Sequence, residues 1–234
     1  MSTIEAGILE DKYYFSQKVL WLFKCAKILM LSESKLQFEV GMRIITGIAK
    51  GIKLKAPKGL DVRPTADRVK ESIFNILANL EVQVDRNAIM GAKVLDLFAG
   101  TGNLGLEALS RGAVHALFVD HSIVSLATTK ENINHADLSK VSEVYRGDSL
   151  KTLDKLAQSG RSFTLIFVDP PYNQGLVNAV LQKLDNTDVV ENGGLIVVEY
   201  SKHEQLNADW QHLKLVRNER YGETLVAFLS RWKG

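Results

Sequence analysis

Two apolar periods divide this chain, and the change between them outlines a fold. Behind the polar stretch "RPTADR", Val69, Ile73, Leu77 and Leu80 recur at helical spacing. That spacing predicts a helix over "RPTADRVKESIFNIL", with Thr65 as its cap and with Arg68 and Lys70 turned away from the apolar stripe. From residue 93 onward, short and nearly all-apolar runs take turns with amphipathic ones. "KVLDLF", "HALFVD", "SEVYRGD", "FTLIFVD" and "GLIVVEY" read as strands. "NLGLEALSR", "SIVSLATTKENINHA", "SLKTLDKLAQS" and a segment near 175–184 read as the helices between them. Such alternation predicts a parallel sheet covered by helices on both faces. The tail "LKLVRNERYGETLVAFLS" reads as two strands around a polar turn, an antiparallel hairpin that closes the sheet. Upstream, "RIITGIAKGIKLKAP" holds two short β-type runs around Lys50–Gly51, the pattern of a small hairpin. The fold class is therefore α/β and Rossmann-like: a mostly parallel seven-stranded sheet, an antiparallel C-terminal hairpin, and a small N-terminal hairpin and helix.

The first residues follow neither period. "KVLWLFKCAKILML" is apolar enough to suggest a signal or an anchor. Lys18, Lys24 and Lys27 interrupt it, however, so it falls short of the ~20 uninterrupted apolar residues of a span, and no convincing cleavage site follows. Residues 1–41 are read as a helical extension, or as sequence upstream of a natural start at Met42, with no role assigned. Residues 42–85 form the basic hairpin and helix, and residues 86–234 the main domain.

Composition narrows the function classes. The chain has 234 residues, room for one large domain with at most a small appendage. Its single cysteine, Cys25, excludes an intrachain disulfide and a multi-cysteine zinc site, and suits a reducing cytoplasm. No metal is expected. The net charge of +2 conceals an asymmetry. Arg43, Lys50, Lys53, Lys55, Lys58, Arg63, Arg68 and Lys70 stand against only Asp61 and Asp67 between residues 43 and 70. A basic segment beside a mildly acidic body suggests a polyanion contact local to that segment.

The candidate chemistry lies at the strand ends. In an open parallel sheet, ligands collect outside the carboxyl ends of the strands. Asp96, Asp120, Asp148 and Asp169 each end a predicted strand or stand just beyond one. Asp96 also opens "DLFAGTGNLG", where Gly100, Gly102 and Gly105 match G-x-G-x-x-G between a strand and a helix. Dinucleotide-binding proteins carry this pattern too, and the spacing from Asp96 to Asp120 fits both cases. Two features separate them. Asp96 would repel a pyrophosphate but suits a ligand bearing an ammonium, and a nicotinamide enzyme has no need of the "DPPY" at Asp169–Tyr172. S-adenosylmethionine, an adenosine with an amino-acid tail, fits both facts. The glycines would pass close to its methionine end, within a loop that also holds Phe98 and Thr101. Asp96 would approach the ammonium, Asp120 the ribose hydroxyls, and Asp148 the adenine amino group.

"VLDLFAGTGNLGLEALSRGA", "RGDSL" and "FVDPPY" resemble the class I S-adenosylmethionine-dependent methyltransferases that modify exocyclic amino groups. More narrowly, "MRIITGIAKGIKL", "RPTADRVKESIFNIL" and "RYGET" resemble the bacterial 16S ribosomal RNA guanine-N2-methyltransferases, the ribosomal small-subunit methyltransferase D family. The likeness runs from about Met42 to the C-terminus. It implies methylation of a guanine N2 amino group in 16S rRNA, within a small-subunit assembly particle, by a cytoplasmic monomer. It also implies that "RPTADR" contributes to substrate recognition, so Arg63, Thr65 and Arg68 are the RNA candidates. Tyr221 and Gly222 of "RYGET" fit a structural turn or a substrate contact equally.

An exocyclic amine is a poor nucleophile because its lone pair is delocalised into the ring. Asp169 and the Pro170 carbonyl can hold its hydrogens. Pro171 fixes its own φ and restrains Pro170, so the acceptors are in place before the base arrives. Tyr172 can stack on the extruded base, a contact worth ~1–3 kcal/mol. Rival readings keep the chemistry but change the acceptor, to DNA adenine N6, another rRNA guanine or a glutamine. Others change the class, to a nicotinamide-dependent oxidoreductase or a non-catalytic RNA-binding protein.

Overall fold

A computed structural model describes residues 42–56, 64–83, 86–171 and 175–232, and these pack as one unit. Helix α1 (Pro64–Asn79) leads into a two-stranded ribbon of β1 (Glu81–Gln83) and β2 (Arg86–Asn87). The alternating elements then follow as expected: β3 (Lys93–Asp96), α2 (Asn103–Ser110), β4 (His115–Asp120), α3 (Ile123–His135) and β5 (Ser142–Arg146). After them come α4 (Ser149–Gln158), β6 (Phe163–Val168), α5 (Leu176–Asp185), β7 (Val190–Ser201), β8 (Leu213–Tyr221) and β9 (Thr224–Arg231). The seven-stranded sheet has the order β5-β4-β3-β6-β7-β9-β8. Strands β3 to β7 run parallel, and β9 pairs antiparallel with both β7 and β8.

Alternation along the central strands builds two cores. Val94, Leu165, Phe167, Leu195, Val197 and Phe228 face α1, α2 and α3, while Leu95, Ile166, Val168, Ile196, Val198 and Leu229 face α4 and α5. Strands covered on both faces have no polar side to show, which is why their sequences are continuous apolar runs.

The N-terminal region departs from the sequence pattern in three ways. First, the expected hairpin is a single antiparallel bridge, Arg43 to Lys53, rather than two strands. Bonds still cross between its arms, from Ile44 to the Ile52 carbonyl at 2.9 Å and from Leu54 to the Met42 carbonyl at 2.7 Å, but donors between residues 45 and 49 go to α2. Ile45 and Thr46 donate to the Glu107 carboxylate at 2.7 and 3.0 Å, Ala49 donates to Ser110 Oγ at 3.0 Å, and Ile48 to the Ser110 carbonyl at 2.9 Å. Gly47 at φ +95° is needed there, because a Cβ would sit 1.8 Å from the Ser110 oxygen. Second, α1 starts at Pro64, so Thr65 is its second residue and not its cap. Proline suits the first helical position, since its missing N–H would have no partner there anyway. Third, Lys70 does not turn to solvent with exposed Arg68; it is 2% exposed. Its ammonium donates to the Arg43 carbonyl at 2.6 Å and Asn103 Oδ1 at 2.7 Å, and lies 3.5 Å from Glu107. Burial pulls its pKa below the usual lysine range, with Glu107 opposing. The apolar stripe itself stands as read, with Val69, Ile73 and Leu77 all buried.

No helix among the described residues is long and apolar enough to cross a membrane. Exposed Ile48 and Met90 border an apolar groove of about 490 Å³.

Candidate active site

Sheet order turns the sequence list of acids into a spatial row. Asp120 and Asp96 are the last residues of β4 and β3, Asp169 follows β6 directly, and Asp148 caps α4 just beyond β5. Because the strands lie β5-β4-β3-β6, the acids run Asp148, Asp120, Asp96, Asp169 along one edge. The strand order reverses between β3 and β6, with β4 and β5 added on one side and β6 and β7 on the other, so Asp96 and Asp169 flank the switch point, where open α/β sheets form their ligand crevice.

Each acid on the β3–β5 side receives a backbone N–H. Asp96, 2% exposed, accepts from Gly105 at 3.0 Å. Burial pushes its pKa up to about 7, the Gly105 N–H holding it down and Asp120 adding to the rise. Asp120 accepts from Gly100 at 2.9 Å and Ser122 at 2.8 Å. Asp148 is exposed and accepts from Lys151 at 3.0 Å, the helix-cap role that a strand-end acid often has.

The glycine loop is tied on both sides. Thr129 Oγ1 donates to the Gly100 carbonyl at 2.8 Å, and Asn132 Nδ2 to the Thr101 carbonyl at 2.9 Å. Phe98 is half-buried against the α4–α5 core. The three glycines differ in purpose. Gly100, at φ +54°, is open: among the described residues the only atom within 4 Å of a Cβ there would be the Phe98 carbonyl oxygen at 3.9 Å. Gly102 takes φ +82° to start α2. Gly105 serves packing, since a Cβ would lie 2.3 Å from Phe118 Cε1.

Across the switch point, Asp169 opens to solvent on its outer side while protein crowds the carboxyl from below; Pro170 is buried and Pro171 exposed. Crowding, then the Glu199 carboxylate, then Asp96 push its pKa well above the usual carboxylate range. Tyr172 and Arg63 lie outside the described residues. Thr65 is placed only as a backbone position in the first turn of α1, next to exposed Arg68. Tyr221 hydrogen-bonds through its hydroxyl to Ser72 Oγ of α1, and Gly222 turns at φ +65°, so "RYGET" ties the terminal hairpin to α1.

Four residues of this region escape the motif search. Glu199 ends an apolar run as the other acids do, in "GLIVVEY", and that signal could have found it. Lys70, Glu107 and Asn132 could not be found so. They join the N-terminal segment to the loop, with Asn132 holding both backbone groups of Lys55, at 2.7 and 3.0 Å, besides Thr101.

The residues fit a ligand carrying positive charge. An open glycine approach lies between carboxylates, one of them buried and pushed by desolvation to a pKa of about 7.

Comparison with known proteins agrees with this geometry. A family model described as Conserved hypothetical protein 95 matches residues 42–230. YlbH of Bacillus subtilis (strain 168), provisionally named an rRNA methyltransferase, is 40% identical over 190 residues, spanning 81% of this chain and 99% of its own. Ribosomal RNA small subunit methyltransferase D of Escherichia coli (strain K12) is 33% identical over 196 residues, spanning 78% and 93%. The solved structure of yhhF from Escherichia coli, provisionally titled a methyltransferase, superposes with a TM-score of 0.68 at 31% identity, covering 82% of this chain and 98% of that one.

Proposed function

This chain belongs to the conserved hypothetical protein 95 family, that of the ribosomal RNA small subunit methyltransferase D proteins, and we propose on that premise that it methylates a guanine N2 amino group of 16S rRNA from S-adenosylmethionine. The observation that carries the reading is the row of acids, which reaches the "DPPY" aspartate at the switch point.

The cofactor would supply a methyl group activated on a sulfonium. Asp96 would meet its ammonium, the Gly100–Gly102 backbone its methionine end, Asp120 its ribose, and Asp148 its adenine. Phe98 and Thr101 complete the loop. On the other side, Asp169 and the Pro170 carbonyl would accept the two hydrogens of the guanine amine, and Tyr172 would stack on the ring. With the amine about 3–3.5 Å from the methyl carbon, placement supplies most of the acceleration. Extruding the base costs a few kcal/mol. Binding energy from elsewhere on the RNA must offset that cost, and the basic segment with Arg63, Thr65 and Arg68 is its source. The substrate would be cytoplasmic rRNA, naked or in a small-subunit particle.

Transfer of labelled methyl groups to 16S rRNA and to assembled subunits, with the product nucleoside identified, tests the reading. N2-methylguanosine is expected; label on adenine, or on protein, overturns the acceptor. Titration with NADH and with S-adenosylmethionine tests the class, and NADH binding alone would overturn it.

A further inference from the structure

Asn132 lies within α3, and asparagine is a poor helix former. It is fully buried, where an amide is costly unless its groups are paired. Its side-chain bonds all leave the helix. Oδ1 accepts from the Lys55 N–H at 2.7 Å, while Nδ2 donates to the Lys55 carbonyl at 3.0 Å and to the Thr101 carbonyl at 2.9 Å. Both amide hydrogens are thereby used, one on each segment.

The two segments so joined are Lys55 of the basic stretch and Thr101 of the glycine loop. Glu131, the residue before Asn132, also pairs with the exposed Lys55 ammonium at 2.9 Å. The other arm of the basic stretch is tied to the same loop. Lys70 connects the Arg43 carbonyl to the side chain of Asn103, the residue after Gly102, and Thr101 Oγ1 donates to Met42 Sδ at 3.6 Å. Thr129, one turn earlier on α3, differs: it bonds the loop at the Gly100 carbonyl and its own helix at Ser125.

We propose that Asn132 is a positioning residue for both substrates, acting through Thr101 on the cofactor loop and through Lys55 on the basic segment, so that filling the cofactor site tightens RNA binding. The inference rests on the cofactor and RNA reading above. On that reading the Gly100–Gly102 backbone meets the cofactor, which favours the loop position that Asn132 holds. The same amide grips both backbone groups of Lys55, and turning it away from Thr101 would break all three bonds together. Two states follow, one with loop and segment held and one with both released. A ligand that prefers the held state raises the affinity for the other ligand, and linkage makes the factor the same in both directions.

Amide exchange at Lys55 reads the link without RNA. In wild-type protein, saturating S-adenosylhomocysteine should slow exchange of the Lys55 N–H by about fivefold or more, with strand β8 unchanged. The same ligand should lower the Kd for 16S rRNA about fivefold. Asn132→Asp keeps the shape and the acceptor for the Lys55 N–H but loses both donated hydrogens. In that variant the RNA factor should fall below about twofold, and Lys55 exchange should no longer respond to the ligand. Thr129→Val removes a loop tie that does not reach the basic segment. It should weaken S-adenosylhomocysteine binding about threefold and leave the RNA factor at about five. Wild-type protein whose Lys55 exchange ignores bound S-adenosylhomocysteine overturns the proposal without any variant, and so does an equal loss of the factor in both variants. Protein in which Lys55 responds but 16S rRNA does not bind overturns the RNA reading instead, and failure to bind S-adenosylhomocysteine overturns the cofactor reading.

Discussion

The two sides of the switch point treat their carboxylates in opposite ways. On the β3–β5 side every acid of the row is answered by a backbone N–H: Asp96 by Gly105, Asp120 by Gly100 and Ser122, Asp148 by Lys151. On the β6–β7 side no hydrogen bond reaches Asp169 from the described residues, and its charged neighbours among them are Glu199 and Asp96. A carboxylate held by N–H groups is fixed in shape and can grip a ligand that is present in every cycle. One left among like charges keeps its acceptor capacity for a group that arrives from outside. On the proposed reading, the contrast separates a prepared cofactor side from a substrate side whose polar demand is met in the complex.

The strongest way to break the contrast is to remove Asp169. Asp169→Ala should lower methyl transfer at least a thousandfold, about 4 kcal/mol of barrier. Cofactor affinity, measured by calorimetry, should change less than threefold. Loss of both together would mean that the two sides are not separate.

Next in size is the polar clamp behind the cofactor side. Glu107 is fully buried, bridging Lys70 and Arg111 while accepting two amides of the N-terminal segment. Glu107→Ala leaves Lys70 buried without its carboxylate, a change that costs about 3–5 kcal/mol in such networks. Denaturant unfolding should show that loss, and amide exchange should quicken first at residues 44–49. If the segment stays protected, the clamp is not what holds it.

How much of this could be read from the chain depends on the range of the interaction. The parallel sheet, its closing hairpin and the strand-end acids follow from local periodicity, because each strand carries its burial pattern in its own residues. Asp96 and Asp120 stand out for the same reason. Lys70 does not: a lysine beside an exposed arginine reads as solvated, and only a glutamate far along the chain, Glu107, makes its burial tolerable. The N-terminal hairpin forms a single bridge rather than two strands, because Ile45, Thr46, Ile48 and Ala49 between its arms give their N–H groups to α2. Glycine purpose is equally hidden, since Gly105 matches a ligand motif while its constraint comes from Phe118.

A smaller effect sharpens the comparison from the cofactor side. Asp96 binds its proton more tightly folded, with a pKa of about 7, than unfolded, where 3.8 is usual. A raised folded pKa means that the native state holds more protons, so rising pH between about 4 and 7 withdraws stability. Asp96→Asn keeps an acceptor for Gly105 without the charge. Thermal unfolding of the ligand-free protein should then depend less on pH in that range, and the variant should be the more stable form above pH 7. S-adenosylmethionine should bind it about tenfold more weakly at pH 8, with little difference at pH 5. Equal weakening at both values would remove the charge from the explanation.

The least effect on chemistry and the most diffuse on binding belongs to the basic segment. On the proposed reading, holding an extruded base draws on RNA contacts beyond the strand-end acids, and the basic segment would supply them. Arg68 is exposed at the first turns of α1, directly after Arg63 and Thr65 in the proposed recognition stretch. Reversing both charges, Arg63→Glu with Arg68→Glu, should weaken rRNA binding about tenfold at 100 mM salt. The slope of log affinity against log salt should fall by about 1.5, the loss expected for two phosphate contacts on single-stranded RNA. Transfer from a saturated complex should change little on the proposed reading, which assigns the amine to Asp169 and the Pro170 carbonyl. If the slope is unmoved, the phosphate contacts lie on another surface, and the acids of the sheet edge must be fed by RNA that approaches from a different side.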